Sequence, residues 1–173
     1  MIQKRLRKFL PHRDSITGNK ALKIFGTLLH NPNLWHLNRH SAGRAFAVGL
    51  FFAWIPVPFQ MVLAAGAAII IHGNLPLSIA LVWITNPITM PALFFFAYKI
   101  GAIILGVNKP FNFSLSIDWL TDTVHDIWQP LLLGSTICAV VSSVVGYFGI
   151  KAIWRYFIIK AWRKRQENRK NRS

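Results

Sequence analysis

Acidic residues are scarce in this chain. Only 5 of its 173 residues are Asp or Glu, against 20 Lys and Arg. Acid-base catalysis and metal binding usually draw on paired carboxylates or on clusters of His, Cys, Asp and Glu. The carboxylates of Asp118, Asp122 and Asp126, or the pair His36 and His40, could contact a cation, but neither group has further ligands in the sequence. The sequence also holds no phosphate-binding glycine loop and no nucleophile with a base beside it. We therefore expect a protein that is not an enzyme, with no metal site and no cofactor.

Cysteine is nearly absent as well. Cys138 is the only one, so no disulfide can form within the chain, and a lone thiol in an apolar stretch usually packs as a small hydrophobic group. Charged residues make up only 14% of the chain, whereas 53% is hydrophobic and the mean hydropathy is +0.39. This composition indicates an integral membrane protein.

Three apolar blocks account for the hydropathy, at residues 44–71, 75–106 and 130–150. Each block reaches the ~20 residues that a helix needs to cross the hydrocarbon core of a bilayer. The first two blocks are interrupted by prolines and the third is not. We predict an all-α membrane protein with two Pro-broken segments, which are re-entrant or kinked, one continuous transmembrane helix and amphipathic flanking helices.

Basic residues are concentrated at both ends of the chain. Nine Lys and Arg lie in residues 1–44 and nine in residues 151–173, while three of the five acids lie in the segment 107–129. Basic flanks mark the cytoplasmic side of a membrane protein. We therefore predict a basic N-terminal region at 1–43, a membrane domain at 44–150 with an acidic outer loop at 107–129, and a basic cytoplasmic tail at 151–173.

A net charge of +15 would suggest nucleic-acid binding in a soluble protein. Here the basic flanks favour a membrane surface, so we expect the lipid bilayer and its anionic headgroups as partners, and no nucleic acid. The stretch 1–10 and the tail 151–165 both combine basic with apolar side chains, and Trp154, Tyr156 and Trp162 are expected at headgroup depth. The segment 116–128 alternates apolar residues with Asp118, Asp122 and Asp126, which predicts an interfacial helix.

The two proline-containing blocks carry similar interruptions. Residues 54–61 and 83–90 share four of eight positions at an offset of 29. A proline within a helix removes a donor and leaves a carbonyl unsatisfied, which in lipid must be bonded by another group. Paired interruptions occur at the binding sites of transporters. Ordinary kinks are the alternative, and the residues concerned are Pro56, Pro58, Pro87 and Pro91.

The number of crossings has to be even if both ends are cytoplasmic, yet there are three apolar blocks. The prolines split the first block into arms at 44–55 and 59–71, and the second into arms at 75–84 and 91–106. A single arm of the first block covers only about half of a ~30 Å core. One block is therefore expected to re-enter, and the sequence does not indicate which.

Polar residues within the interruptions are the leading candidates for substrate binding. Amide and hydroxyl groups there can bond freed carbonyls, which we favour, or a ligand. Two cations beside the apolar blocks extend the set, although long basic side chains also reach to the membrane surface. The hypothetical substrate-binding residues are Gln60, Thr85, Asn86, Thr89, Arg44 and Lys99.

The third block carries small residues at every fourth position, which places them on one helix face. Small faces allow helices to approach closely in lipid. The packing residues are Gly134, Cys138, Ser142 and Gly146, and they predict contact within the monomer, in a homo-oligomer or with a membrane partner protein.

Several of these segments resemble one bacterial family. The runs Asn31-Pro32-Asn33-Leu34-Trp35 and Pro56-Val57-Pro58-Phe59-Gln60-Met61, and above all Thr85-Asn86-Pro87-Ile88-Thr89-Met90-Pro91, are similar to the inner-membrane family catalogued as domain of unknown function 2062. The resemblance covers about residues 25–150 and implies a multi-pass inner-membrane protein of Gram-negative bacteria. It implies no activity.

Two functions are compatible with this sequence. The first is a small transporter or flippase that holds an anionic or lipid-phosphate substrate at its broken helices, where positive helix ends favour negative charge. The alternative is a membrane scaffold or partner subunit that does not transport. The family resemblance implies that it would act in envelope or lipid-linked sugar pathways. The sequence indicates neither the substrate nor the energy source.

Overall fold

The computed structural model describes residues 16, 18, 22–107 and 117–170. Within that part of the chain all regular elements are helical and no strand occurs, so the prediction of an all-helical protein is confirmed. Two short 3-10 helices, Leu22–His30 and Pro32–Leu34, come first. The five α-helices are α1 (Arg39–Trp54), α2 (Gln60–Ile70), α3 (Leu75–Val82), α4 (Met90–Leu105) and α5 (Ile117–Lys170).

Helix α1 begins with a capping box. The side-chain oxygen of Asn38 accepts hydrogen bonds from the backbone N–H groups of His40 and Ser41, both at 2.8 Å, and the Ser41 hydroxyl accepts from the Asn38 N–H at 3.0 Å. These bonds satisfy donors that every helix start leaves open. Arg44 was expected to begin the first arm. It lies instead in the second turn of α1, because the cap starts the helix at Arg39.

Two short non-helical segments separate consecutive helices. The first junction, residues 55–59, joins α1 to α2, and the second junction, residues 83–89, joins α3 to α4. Pro56 and Pro58 lie in the first and Pro87 in the second. Phe59 has φ 63° and ψ 27°, a left-handed conformation that is costly for a residue with a side chain.

Helices α1 and α3 are parallel neighbours. The backbone N–H of Asn74 donates to the carbonyl of Ser41 at 3.1 Å, which places the starts of the two helices side by side. Near their ends, the Thr85 hydroxyl donates to the carbonyl of Ala53. Helix α2 therefore runs opposite to both, and α1 and α2 form a hairpin.

Helix α5 is antiparallel to α1 and to α4. Its C-terminal half meets α1, where a Cβ on Gly146 would lie 2.4 Å from Leu50 and a Cβ on Gly43 would lie 3.3 Å from Tyr147. Its N-terminal half meets α4, where Gly134 packs on the backbone of Ala97. Helices α1, α3 and α4 therefore share one direction, and α2 and α5 run the other way.

The directions of the helices distinguish the two proline-containing blocks. The block at 44–71 turns back on itself through α1 and α2, whereas the block at 75–106 continues in one direction through α3 and α4. Gly146 of α5 lies opposite Leu50 of α1, and Gly134 lies opposite Ala97 of α4. Counting along the antiparallel helices from these contacts places both junctions opposite about residue 140 of α5. That position is the middle of the uncharged run 130–150.

Helix α5 is longer than the predicted transmembrane helix. It runs for 54 residues with Pro130 inside it, so residues 117–128 are continuous with the long helix and are not a separate interfacial helix. The side chains of Asp118, Asp122 and Asp126, and the whole stretch 1–10, lie outside the part of the chain that the structure describes. Among the described residues one helical stretch, Ile127–Asn168, is long and apolar enough to cross a membrane.

The aromatic residues of the tail divide between two environments. Trp154 is buried against Leu37, Ala42 and Leu77, and its expected place at headgroup depth stays a prediction. The antiparallel packing of α5 on α1 brings Trp154 inside the protein. Trp162 lies beyond the start of α1 and is 64% exposed.

Candidate functional site at the two junctions

The four polar residues predicted at the interruptions all donate to backbone carbonyls at helix ends. Two carbonyls lie at the end of α1 and two follow the end of α3. The bonds are Gln60 Nε2 to Ile55 O, Thr85 Oγ1 to Ala53 O, Asn86 Nδ2 to Trp83 O at 3.4 Å, and Thr89 Oγ1 to Ile84 O. Carbonyls at a helix end have no partner within the helix, so these side chains satisfy groups that would otherwise be costly to bury.

In the turn that precedes α4, Asn86 and Thr89 form reciprocal bonds of the capping-box type, although the helix itself begins at Met90. The side-chain oxygen of Asn86 accepts from the N–H of Thr89 at 3.1 Å and from that of Ile88 at 2.9 Å. In return, the Thr89 hydroxyl accepts from the Asn86 N–H at 3.0 Å. The Asn-Pro-Ile-Thr sequence thus repeats the reciprocal bonds of Asn38 and Ser41. Pro87 directly follows Asn86, at a position where a backbone N–H would have no helical partner, so its missing donor has no energetic cost.

Thr85 connects the two junctions. It is only 8% exposed, and its hydroxyl reaches across from the second junction to Ala53, one residue before the end of α1. The rings of Trp54 and Phe96, 6.2 Å apart at their centroids, also bring the end of α1 against α4. The two interruptions therefore form one site in the folded chain.

The ends of four helices converge at this site. Helices α1 and α3 end there, and α2 and α4 begin there. The start of α2 has no side-chain cap. Helix starts carry partial positive charge and helix ends partial negative charge. The site can therefore present donors to an anion as well as acceptors to a cation, in addition to the four side chains that serve the backbone.

Arg44 and Lys99 are not part of this cluster. Arg44 lies nine residues before Ala53 on α1, and Lys99 lies nine residues after Met90 on α4. At 1.5 Å per residue, each is about 14 Å from the junctions, on opposite sides of them. Both side chains are exposed, and Lys99 Nζ lies 5.6 Å from the ring centroid of Phe95. The structure thus separates the six proposed binding residues into one central group and two distant cations.

The small residues predicted as a packing face on α5 contact two different helices. Gly134 and Gly146 lie at the crossings with α4 and α1, respectively. Cys138 between them is buried, and Ser142 is half-buried with its hydroxyl donating to Ala139 O at 3.2 Å. The sequence left open whether this face packs within the monomer, in a homo-oligomer or against a partner protein. The contacts of Gly134 and Gly146 lie within the monomer.

A second series of small residues, Ser41, Ala45, Gly49 and Ala53, was not singled out from the sequence. All four are buried on α1. A Cβ on Gly49 would lie 2.7 Å from the carbonyl of Ser78, and the Ser78 hydroxyl lies 3.5 Å from Ala45 O. The sequence shows the spacing of four, but the same block also contains the prolines that indicate a broken helix. This series allows α3 to lie close to α1 and brings Thr85 to Ala53.

Within the described residues, no group of three or more His, Cys, Asp or Glu side chains is placed to hold a metal ion. His40 is exposed and accepts a hydrogen bond from Arg39 at 3.0 Å. The chemistry available at the junctions is therefore that of amides, hydroxyls and helix ends.

A family model described as an uncharacterized protein conserved in bacteria, DUF2062, matches residues 22–163. This match confirms the resemblance seen in the sequence. The description assigns no activity and no location in the cell. No curated protein and no solved structure matches the chain.

Proposed function

The chain belongs to this uncharacterized bacterial family, and from the geometry of its helices we propose that it is a multi-pass inner-membrane protein that transports an anionic substrate. The observation that carries the proposal is the convergence of two helix starts and two helix ends at mid-depth of the apolar region. Such convergence of broken helices is the arrangement by which many transporters hold substrates and ions near the bilayer midplane.

The membrane topology follows from the directions of the helices. In this proposal α1 and α2 are a re-entrant hairpin that enters from the cytoplasm and returns to it. The block formed by α3 and α4 crosses the membrane with a break at 83–89, and α5 crosses back. Two complete crossings leave both termini in the cytoplasm, as the basic flanks require.

The exposed apolar side chains support placement in a bilayer. Soluble monomers rarely expose large contiguous apolar patches. On α5, Val141, Val145 and Phe148 are 55%, 64% and 63% exposed, and on α4 Ile103 is 78% exposed. The hydrocarbon core of a membrane is the environment in which such surfaces carry no penalty.

Polar groups at the junctions then have two functions in the proposal. They satisfy the carbonyls of interrupted helices in a medium without water, and they hold the helix starts in position to attract an anion. The protein works without catalysis and without a cofactor.

A scaffold without transport is the second candidate, and one observation favours it. Residues 155–168 of α5 extend past the start of α1 with every side chain exposed, and five of them are Lys or Arg. Such a basic helix would suit anionic headgroups or an acidic partner protein.

Reconstitution separates the two candidates. The purified full-length protein is inserted into liposomes, and the movement of inorganic phosphate and of a fluorescent anionic lipid is followed across the bilayer. Transport predicts that one of them moves faster than in empty liposomes and that Thr85→Val slows it. If neither moves, and a deletion strain is rescued by any variant that retains residues 155–168, the scaffold replaces the transporter.

A further inference from the structure

The surface left at the junctions is apolar. Phe59, Trp83 and Ile88 are 75%, 65% and 89% exposed, whereas the four polar side chains nearby bond to backbone carbonyls. A path for a small hydrated anion needs polar groups along its walls to replace the water shell. The exposed side chains at these junctions offer hydrocarbon and aromatic contact instead.

The two isolated cations lie symmetrically about this apolar surface. Arg44 lies nine residues before Ala53 at the end of α1, and Lys99 lies nine residues after Met90 at the start of α4. The two cations are displaced in opposite directions, because α1 and α4 share one direction. Each therefore lies about 14 Å from the junctions, close to half of a ~30 Å hydrocarbon core. Arg44 is opposite Tyr147 and Lys151 near the cytoplasmic end of the uncharged run, since its neighbour Gly43 packs on both.

The depth of these cations matches that of lipid phosphates. One positive side chain is at the headgroup level of each leaflet, and the exposed apolar surface lies between them. An amphiphile with a negative headgroup and a hydrocarbon chain fits this order of charges and apolar contacts. A soluble anion would meet a cation at each end, whereas the four polar side chains at the junctions between them already donate to backbone carbonyls.

We propose that the substrate is an anionic lipid. Its phosphate is attracted by Arg44 in one leaflet and by Lys99 in the other, and its chains remain against Phe59, Trp83 and Ile88 while the headgroup passes the helix starts of α2 and α4. The exchange between leaflets is passive and needs no energy source. This inference rests on the proposed transport function and names its substrate class.

The test uses the full-length protein in phosphatidylcholine liposomes that contain a trace of phosphatidylglycerol labelled on one acyl chain with nitrobenzoxadiazole. Dithionite added outside bleaches only the outer leaflet, so bleaching beyond about half of the label reports exchange between leaflets. A second set carries labelled phosphatidylcholine, and a third encloses inorganic phosphate. We expect rapid exchange of phosphatidylglycerol, slower exchange of phosphatidylcholine and no release of phosphate.

Charge variants test the two cations. Arg44→Gln and Lys99→Gln should each slow phosphatidylglycerol exchange about tenfold, because each removes the attraction of a cation for a headgroup with net negative charge. Exchange of phosphatidylcholine should be unchanged, because its choline group already neutralises its phosphate. Lys160→Gln is the matched control, since Lys160 is exposed on α5 beyond the start of α1. Arg44→Lys and Lys99→Arg should restore the rate, which separates loss of charge from loss of folding.

Apolar variants test the surface between the cations. Trp83→Ala and Ile88→Ala should slow the exchange of both lipids, whereas Phe148→Ala, at a comparably exposed position on α5, should not.

Three results would overturn the inference. Release of phosphate without lipid exchange would leave a transporter whose substrate is a soluble anion. Equal exchange of both lipids, unaffected by Arg44→Gln and Lys99→Gln, would show that the protein only perturbs the bilayer. If neither lipid nor phosphate moves, the proposed transport function fails together with its substrate.

Discussion

The hydroxyl of Thr85 donates a hydrogen bond to the carbonyl of Ala53, which lies 32 residues earlier in the chain. This contact joins the junction after α1 to the junction after α3 and satisfies a carbonyl that helix α1 leaves open at its end. The small residues at every fourth position of α1 make it possible, since they let α3 lie close enough for a short side chain to reach the neighbouring backbone.

Replacing Thr85 by valine removes this hydrogen bond at nearly constant volume. We expect the free energy of unfolding in detergent to fall by about 1 kcal/mol, because a buried carbonyl loses its partner. Thr136→Val is the matched control: the Thr136 hydroxyl is exposed and donates to Leu132 O in its own helix at 2.7 Å. Equal stability changes for the two variants would show that the contact between junctions contributes nothing.

Asn86→Leu should destabilise the start of α4. The substitution removes both the acceptor for the N–H groups of Ile88 and Thr89 and the donor to Trp83 O. We expect a loss of about 1–2 kcal/mol, the usual cost of losing an N-cap. Asn86→Ser retains a capping oxygen and should recover most of it. Reduced lipid exchange in a variant whose melting temperature is unchanged would instead indicate that Asn86 contacts the substrate.

Gly134→Ala should be strongly destabilising. A Cβ at this position would lie 1.8 Å from the carbonyl oxygen of Ala97, so α4 and α5 would have to separate. Overpacking of this kind typically costs about 1–3 kcal/mol. Gly149→Ala, on the same helix with nothing within 4 Å of the added methyl group, is the control and should be neutral or slightly stabilising. Thermal unfolding in one detergent compares the two, and similar melting temperatures would contradict the close crossing.

The proposed re-entrant hairpin predicts that Ile71 and Asn168 lie on the cytoplasmic side and Val107 on the opposite side. Single cysteines at these positions, in a Cys138→Ala background, can be treated on intact cells with a thiol reagent that does not cross membranes. Val107→Cys should react directly, whereas Ile71→Cys and Asn168→Cys should react only after the membrane is permeabilised. Labelling of Ile71→Cys from outside would mean that α1 and α2 cross the membrane.

Much of the local structure was accessible from the sequence because proline and asparagine act locally. The arms predicted at 44–55 and 59–71 correspond to helices Arg39–Trp54 and Gln60–Ile70, and those at 75–84 and 91–106 to helices Leu75–Val82 and Met90–Leu105. The start of α1 was missed by several residues, since the cap formed by Asn38 and Ser41 lies outside the apolar block that defined the arm.

The partners of the polar side chains were not accessible in the same way. The sequence indicated that Gln60, Thr85, Asn86 and Thr89 would bond either carbonyls or a ligand. Three of the four reach carbonyls at most five residues away, but Thr85 bonds to another helix. That contact depends on how α1 and α3 pack. The same packing keeps Arg44 and Lys99 far from the junctions, although the sequence placed both in the candidate set.

By itself the sequence determined the helical class, the family, the three apolar blocks and the positions at which helices end, because apolar run length, missing proline donors and capping side chains act within a few residues. Only the tertiary structure decided which block turns back on itself, that the two junctions form one site, and that Trp154 is buried. These features depend on contacts between residues that are 30 or more positions apart, such as Ser41 with Asn74 and Ala53 with Thr85. Such contacts arise from the fit of small side chains across parallel helices, and no local pattern specifies which helices will meet.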